Sequence, residues 1–196
     1  QSFAQKITDY IGIKQGESEV IKFPEGNTMV KVGENVRDKD VYLVQSIGLN
    51  PNDELVEIMF WMDTFKRASA NSITAIIPYF GYAMGNKKDQ PRMPIRAKVC
   101  AEAIETAGAN RVVTMDLHRS QVQGFFKKPM DHLFALPVLC KYIKQLGLED
   151  LVVVSSDIGF IKQARKYASF LDVPVAIADK TRQVHNGKPE ILDIIG

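Results

Sequence analysis

Several polar segments of this sequence have the make-up of phosphate- and metal-handling sites. Asp116 and His118 stand two residues apart, just after the β-branched run Val112-Val113-Thr114-Met115. A neutral imidazole in that setting can bind a divalent metal directly or through one of its waters. Asp157, behind the apolar run Leu151–Val154, can approach the same ion. Lys180 and Arg182 flank Thr181, and alternate residues of an extended segment point the same way. Two cations on one side suit a transferring phosphoryl group, whose reaction rests mostly on positioning and charge neutralisation. The loop from Gly81 to Arg92 sets three cations, Lys87, Lys88 and Arg92, against the one anion Asp89, and Gly81 and Gly85 give it conformational freedom. Such a loop can close over a polyphosphate. Each feature has an ordinary alternative: a core histidine, a surface cation pair, a solvated loop. His132 and His185 have no comparable setting and read as ordinary.

These residues need a scaffold, and the chain alternates short apolar runs with helical patterns. Val41–Val44, Ile73–Ile77, Val112–Met115, Leu151–Val154 and Val175–Ile177 read as strands. Between them, helices are expected over 52–68, 95–107, 137–146 and 161–171. Asn50, Pro51, Asp53 and Glu54 give the first of these a cap, a first-turn proline and acidic residues at the positive end of its dipole. Leu55, Ile58, Met59, Met62 and Phe65 form its apolar stripe. Gly108 is a natural stop for the second. Nearly continuous apolar strands separated by helices imply a parallel sheet buried on both faces. The segment 23–32 alternates instead, as an antiparallel hairpin arm at the sheet edge would. Ligands of open α/β sheets bind outside the carboxyl ends of the strands. Gln45 and Ser46, the loop 78–94, Asp116 and His118, Ser155 to Asp157, and Asp179 to Arg182 all follow strands, so the polar residues gather on one rim.

Composition narrows the reading. With 196 residues and 45% apolar content the chain can bury a sizeable core. Its 25 basic and 23 acidic residues, net +2, lack the strongly basic face of a nucleic-acid binder. No apolar run approaches the roughly 20 residues of a membrane span. The two cysteines, Cys100 and Cys140, have no metal-binding spacing and read as free thiols of a reducing cytoplasm.

The motifs together resemble those of a known family. Asp116-Leu117-His118 followed by Gln121-Val122-Gln123-Gly124-Phe125-Phe126 is similar to the DLH…QxQGFF signature of ribose-phosphate pyrophosphokinases. Ala68-Ser69-Ala70, Pro78 to Ala83, Pro94 to Lys98 and Asp179 to Arg182 fit the same family in order and spacing. The resemblance implies an α/β fold: a parallel-sheet, type I phosphoribosyltransferase-like domain with an edge β-hairpin, and a second such domain that is truncated. It places the N-terminal, ATP-binding domain at 1–142 and the start of the second domain at 143–196. It implies transfer of the β,γ-diphosphate of ATP to the 1-hydroxyl of ribose 5-phosphate, dependence on Mg2+, and homo-oligomers built from dimers, commonly hexamers. By position, His118 and Asp157 match the metal-associated residues, Lys180 the lysine that stabilises the transferring group, and Arg182 its neighbour. His118 is counted with the catalytic residues as well. The hairpin residues Phe23, Glu25, Gly26 and Asn27 match an ATP contact that reaches across from a neighbouring subunit. Met84, Gly85, Lys87, Lys88 and Asp89 occupy the ATP loop.

The chain departs from the family pattern at defined points. Tyr82-Ala83-Met84-Gly85-Asn86 stands where the family reads YARQD, so a charge-assisted phosphate contact worth roughly 1.5–3 kcal/mol is missing. Asn27 replaces a glutamate, and Phe160 replaces a glycine beside Asp157. The family's first strand and its ribose-5-phosphate loop are expected to lie outside the 196 residues, which would leave the chain inactive alone. The expectation is a ribose-phosphate diphosphokinase; the alternative is a catalytically silent paralogue that regulates or scaffolds active subunits.

Overall fold

A computed structural model describes residues 2–181 and 190–195, with 179–181 and 190–193 described through their backbone alone. Arg182 and His185 therefore lie outside the described residues. The chain forms two compact units, 1–133 and 134–196, and the boundary expected at 142/143 falls inside a helix of the second.

Unit 1 opens with α1 (Phe3–Ile11), capped by the Ser2 hydroxyl, which accepts from the Gln5 amide at 3.1 Å. Strands β1 (Ser18–Lys22) and β2 (Thr28–Val32) pair antiparallel. Gly26 closes their turn at φ +92°, a conformation that glycine adopts without steric cost. The hairpin is a two-stranded sheet of its own, with β2 laid on helix α2 (Pro51–Arg67) rather than hydrogen-bonded to the parallel sheet.

The parallel sheet has the order β3 (Asp40–Val44), β4 (Ser72–Ile77), β5 (Arg111–Met115), β6 (Met130–Leu133). Helix α2 crosses from β3 to β4, and α3 (Arg96–Ala107) from β4 to β5. Ile58, Trp61, Met62 and Phe65 of α2 and Ala97, Cys100, Ala101 and Ile104 of α3 are buried with Ile73, Ala75 and Ile77 of β4. Burying a side chain the size of Ile58 contributes about 1.5–3 kcal/mol. The alanines of α3 let its backbone approach α2. Strand β6 was not foreseen. Met130-Asp131-His132-Leu133 has no β-branched residue, and it becomes a strand because β5 offers it a full edge, including Val112 N–H to Pro129 O at 3.0 Å and Asp116 N–H to Leu133 O at 3.0 Å.

Unit 2 contains α4 (Leu136–Gln145), α5 (Ile161–Leu171) and the sheet β7 (Val153–Ser155), β8 (Val175–Thr181), β9 (Glu190–Ile195). β7 and β8 are parallel, and β9 returns antiparallel. The strand expected over 151–154 starts two residues late. The one expected over 175–177 runs on to Thr181, because β9 extends its ladder.

Candidate functional site

In unit 1 the rim beyond β3, β4 and β5 is built by backbone ties between loops. Past β3, Gln45 N–H donates to Ile76 O at 3.0 Å and Ile47 N–H to Tyr79 O at 2.8 Å. Gly81 N–H returns to Ile47 O at 2.9 Å. A Cβ on Gly81 would run into that same Ile47 carbonyl oxygen, so no side chain fits there. Gly81–Met84 then forms a short 3-10 turn, with Ala83 buried. It is tied to α2 where the Tyr82 hydroxyl donates to Asn52 Oδ1, and the Gly48 amide donates to the Glu54 carboxylate nearby.

Met84 is 64% exposed at the end of this turn, and Gly85 after it is buried. Ala97 N–H donates to Gly85 O at 3.1 Å, joining the loop to the start of α3. A Cβ on Gly85 would lie 2.8 Å from both Cβ and Nε of Arg96, so the arginine side chain lies across the bare glycine. Beyond it, Lys87 Nζ pairs with Asp89 Oδ1 at 3.2 Å on the surface, an interaction worth about 0–1 kcal/mol in such exposure. Lys88 is exposed.

After β5 the chain turns at Asp116, which sits in the left-handed region at φ +45°. Asp116 N–H donates to Leu133 O at 3.0 Å, and Leu117 N–H donates to Nε2 of His132 at 2.9 Å. His132 thus keeps Nε2 unprotonated. Burial pushes its pKa below the usual imidazole value, against the opposing pull of the Asp116 carboxylate. Leu117 and Val122 are buried, and Phe126 packs on Phe80 with ring centroids 6.1 Å apart. These anchors hold the segment down and leave His118 exposed beside it. Glu105 Oε1 of α3 accepts the amides of Lys127 and Lys128 at 2.7 and 2.6 Å, closing the far end. Read as ordinary from the sequence, His132 is a supporting residue of this turn. Its role depends on the pairing of β5 with β6, and no local signal marks that pairing.

The remaining expected residues fall elsewhere. Phe23, Glu25, Gly26 and Asn27 come together at the exposed hairpin tip, where Phe23 N–H donates to Asn27 O at 2.9 Å. Asp157 belongs to unit 2, so the expected metal pair is divided between the two units. Its Oδ1 accepts the Phe160 amide at 2.8 Å, capping the short turn Ile158–Phe160 that leads into α5. The buried Ser155 hydroxyl donates to Asp157 O at 2.7 Å and fixes the backbone there. Lys180 lies in β8 opposite Ile191, at a register shift between Asp179 and Lys180. Among the described residues no group of three or more His, Cys, Asp or Glu is arranged to hold a metal. No helix of the described residues is long and apolar enough to cross a membrane. A concavity of about 610 Å³ between α4 and α5, lined by Leu136, Arg165, Lys166, Ser169 and Phe170, holds none of the expected site residues.

Comparison with known proteins agrees with this architecture. Residues 1–108 match the family model for the N-terminal domain of ribose phosphate pyrophosphokinase. A ribose-phosphate pyrophosphokinase of Clostridium acetobutylicum is 47% identical over 197 residues, covering 100% of this chain and 61% of the relative. One from Fusobacterium nucleatum is 45% identical, covering 98% and 61%. The crystal structure of phosphoribosylpyrophosphate synthetase from Mycobacterium smegmatis superposes with a TM-score of 0.86 at 36% identity, covering 98% of this chain and 62% of that one. The chain therefore spans about three-fifths of the length of these relatives, and its α/β fold with a parallel sheet is theirs.

Proposed function

The chain belongs to the ribose-phosphate pyrophosphokinase family, and from that premise we propose that the full-length protein makes phosphoribosyl pyrophosphate and AMP from ATP and ribose 5-phosphate for nucleotide biosynthesis. The observation that supports this most is the rim of unit 1. There the 3-10 turn after β4 and the His118 turn after β5 are fixed at neighbouring strand ends, the first by backbone bonds and the second by backbone bonds together with the His132 side chain.

In the reaction the 1-hydroxyl oxygen of the sugar bonds to the β-phosphorus and loses its proton. The bond from that phosphorus to the α,β-bridging oxygen breaks, and AMP leaves with its electrons. Charge builds on the phosphoryl oxygens, and positioned cations lower the barrier. Lys180 and Arg182 are assigned that role, and Met84, Gly85, Lys87, Lys88 and Asp89 are assigned to the loop that binds ATP. The hairpin tip, Phe23 to Asn27, is assigned to the nucleotide of a neighbouring subunit in a homo-oligomer.

Mg2+ keeps several waters and is held by one or two carboxylates together with substrate phosphates. Asp157 fits that manner of binding: it is exposed, and its cap bond occupies Oδ1. His118, also exposed, fits contact through a metal-bound water. Bound there, the ion would neutralise phosphate charge. Both cysteines are free and buried, in keeping with a cytoplasmic setting.

Incubation of the full-length protein with ATP, Mg2+ and ribose 5-phosphate tests the proposal by release of AMP. No AMP above background would favour a silent paralogue, a reading supported by the missing cation at Met84.

A further inference from the structure

The nucleotide loop has a gap in its charge. Met84 and Gly85, at the head of the loop, bring no cation of their own, and the next one, Lys87, is paired with Asp89. Arg96 fills the gap from another element. It is the first residue of α3, its Cβ and Nε lie where a side chain on residue 85 would begin, and only a glycine leaves it that room. The Ala97–Gly85 backbone bond holds the two segments in this relation.

Arg96 has no evident structural employment there. Among the described residues no carboxylate forms a salt bridge with it, and its charge reaches the buried Cys100 thiol. A cation in the first turn of a helix opposes the helix dipole, so the position does not stabilise α3. The side chain is exposed, with its guanidinium free to offer a bidentate fork to phosphate oxygens.

We propose that Arg96, lying across Gly85, is a further cation by which this loop grips the polyphosphate of its nucleotide, supplied from α3 in place of a basic residue at Met84. The inference rests on the reading of the loop as an ATP site.

The test uses the full-length protein, measuring the Michaelis constants for ATP and ribose 5-phosphate and the affinity for MgATP by calorimetry. Arg96→Ala should weaken ATP by about ten- to a hundredfold, the loss of one charge-assisted contact. The constant for ribose 5-phosphate should not change. Arg96→Lys should recover only part, since lysine lacks the fork. Gly85→Ala keeps the charge and displaces the side chain; it should weaken ATP in wild type and add little to Arg96→Ala. Met84→Arg should restore affinity to the Arg96→Ala protein. If the wild type binds ATP and releases AMP while Arg96→Ala leaves its ATP constant unchanged, this inference is overturned and the site reading stands. If the wild type neither binds ATP nor releases AMP, both fall.

Discussion

Nε2 of His132, on the edge strand β6, accepts the backbone N–H of Leu117 at 2.9 Å, so a histidine one strand away holds the turn that presents His118. The bond exists only while Nε2 carries no proton. Burial depresses the His132 pKa, so the unfolded chain takes up its proton first as pH falls below about 6.5. Stability is full above that value and declines below it, until the folded histidine also protonates. Thermal unfolding of the full-length protein between pH 7.5 and pH 5 should show this decline. His132→Gln, which keeps an acceptor and does not titrate, should flatten it. His132→Ala should lower stability by about 1 kcal/mol at neutral pH through loss of the bond. An equally steep acid decline in His132→Gln would assign the effect to other groups.

Gly81→Ala places a methyl group against the Ile47 carbonyl, in a stretch fixed by bonds in both directions. Overpacking of this kind costs about 1–3 kcal/mol. Denaturant unfolding should show a lower midpoint with an unchanged slope, and a midpoint equal to wild type would mean that the loop yields freely.

Asp157 is assigned two tasks that substitution can separate. Asparagine caps a helical turn about as well as aspartate, whereas alanine costs about 1 kcal/mol. Asp157→Asn should therefore retain stability and lose Mg2+-dependent AMP release, while Asp157→Ala should lose both. Full activity in Asp157→Asn would confine the residue to the cap seen with Phe160.

Cys100 is 5% exposed and Cys140 fully buried. Burial pushes the Cys100 thiol up to about 11, the nearby Arg96 charge offsetting only part of the rise. The thiolate is the reactive form. A thiol reagent at pH 7.5 should modify neither cysteine on the time scale in which it modifies the unfolded protein. Rapid labelling of the folded state at that pH would show that α3 or α4 opens easily.

Where sequence resolved the fold, the residues themselves carry a period. The apolar stripe Leu55, Ile58, Met62, Phe65 marks α2 to within a residue or so, and the β-branched runs mark β3, β4 and β5. Strand β6 was illegible because its strand character comes from the edge it completes and not from Met130 to Leu133. For the same reason His132 looked ordinary, and the approach of Arg96 to Gly85 went unmarked: these contacts span 15 and 11 positions of chain. The hairpin was legible as alternation, but its separation from the parallel sheet was not. An alternating strand fits a helix surface such as α2 as well as it fits a sheet edge. Motif residues, by contrast, were legible by type: Asp116, His118 and Gly85 need no partner to be noticed in sequence.

The order β3-β4-β5-β6 also bears on how the protein is made. β4, β5 and β6 each pair with the strand just before them in the chain, and β2 pairs with β1. Domains tend to fold as units during synthesis, the N-terminal one first. Among the described strands of the first unit, each pairing joins strands adjacent in the chain. A ribosome that has extruded residue 133 has already delivered the four described strands of that sheet, and the loop from Gly81 can be in place before the segment carrying Lys180 has emerged.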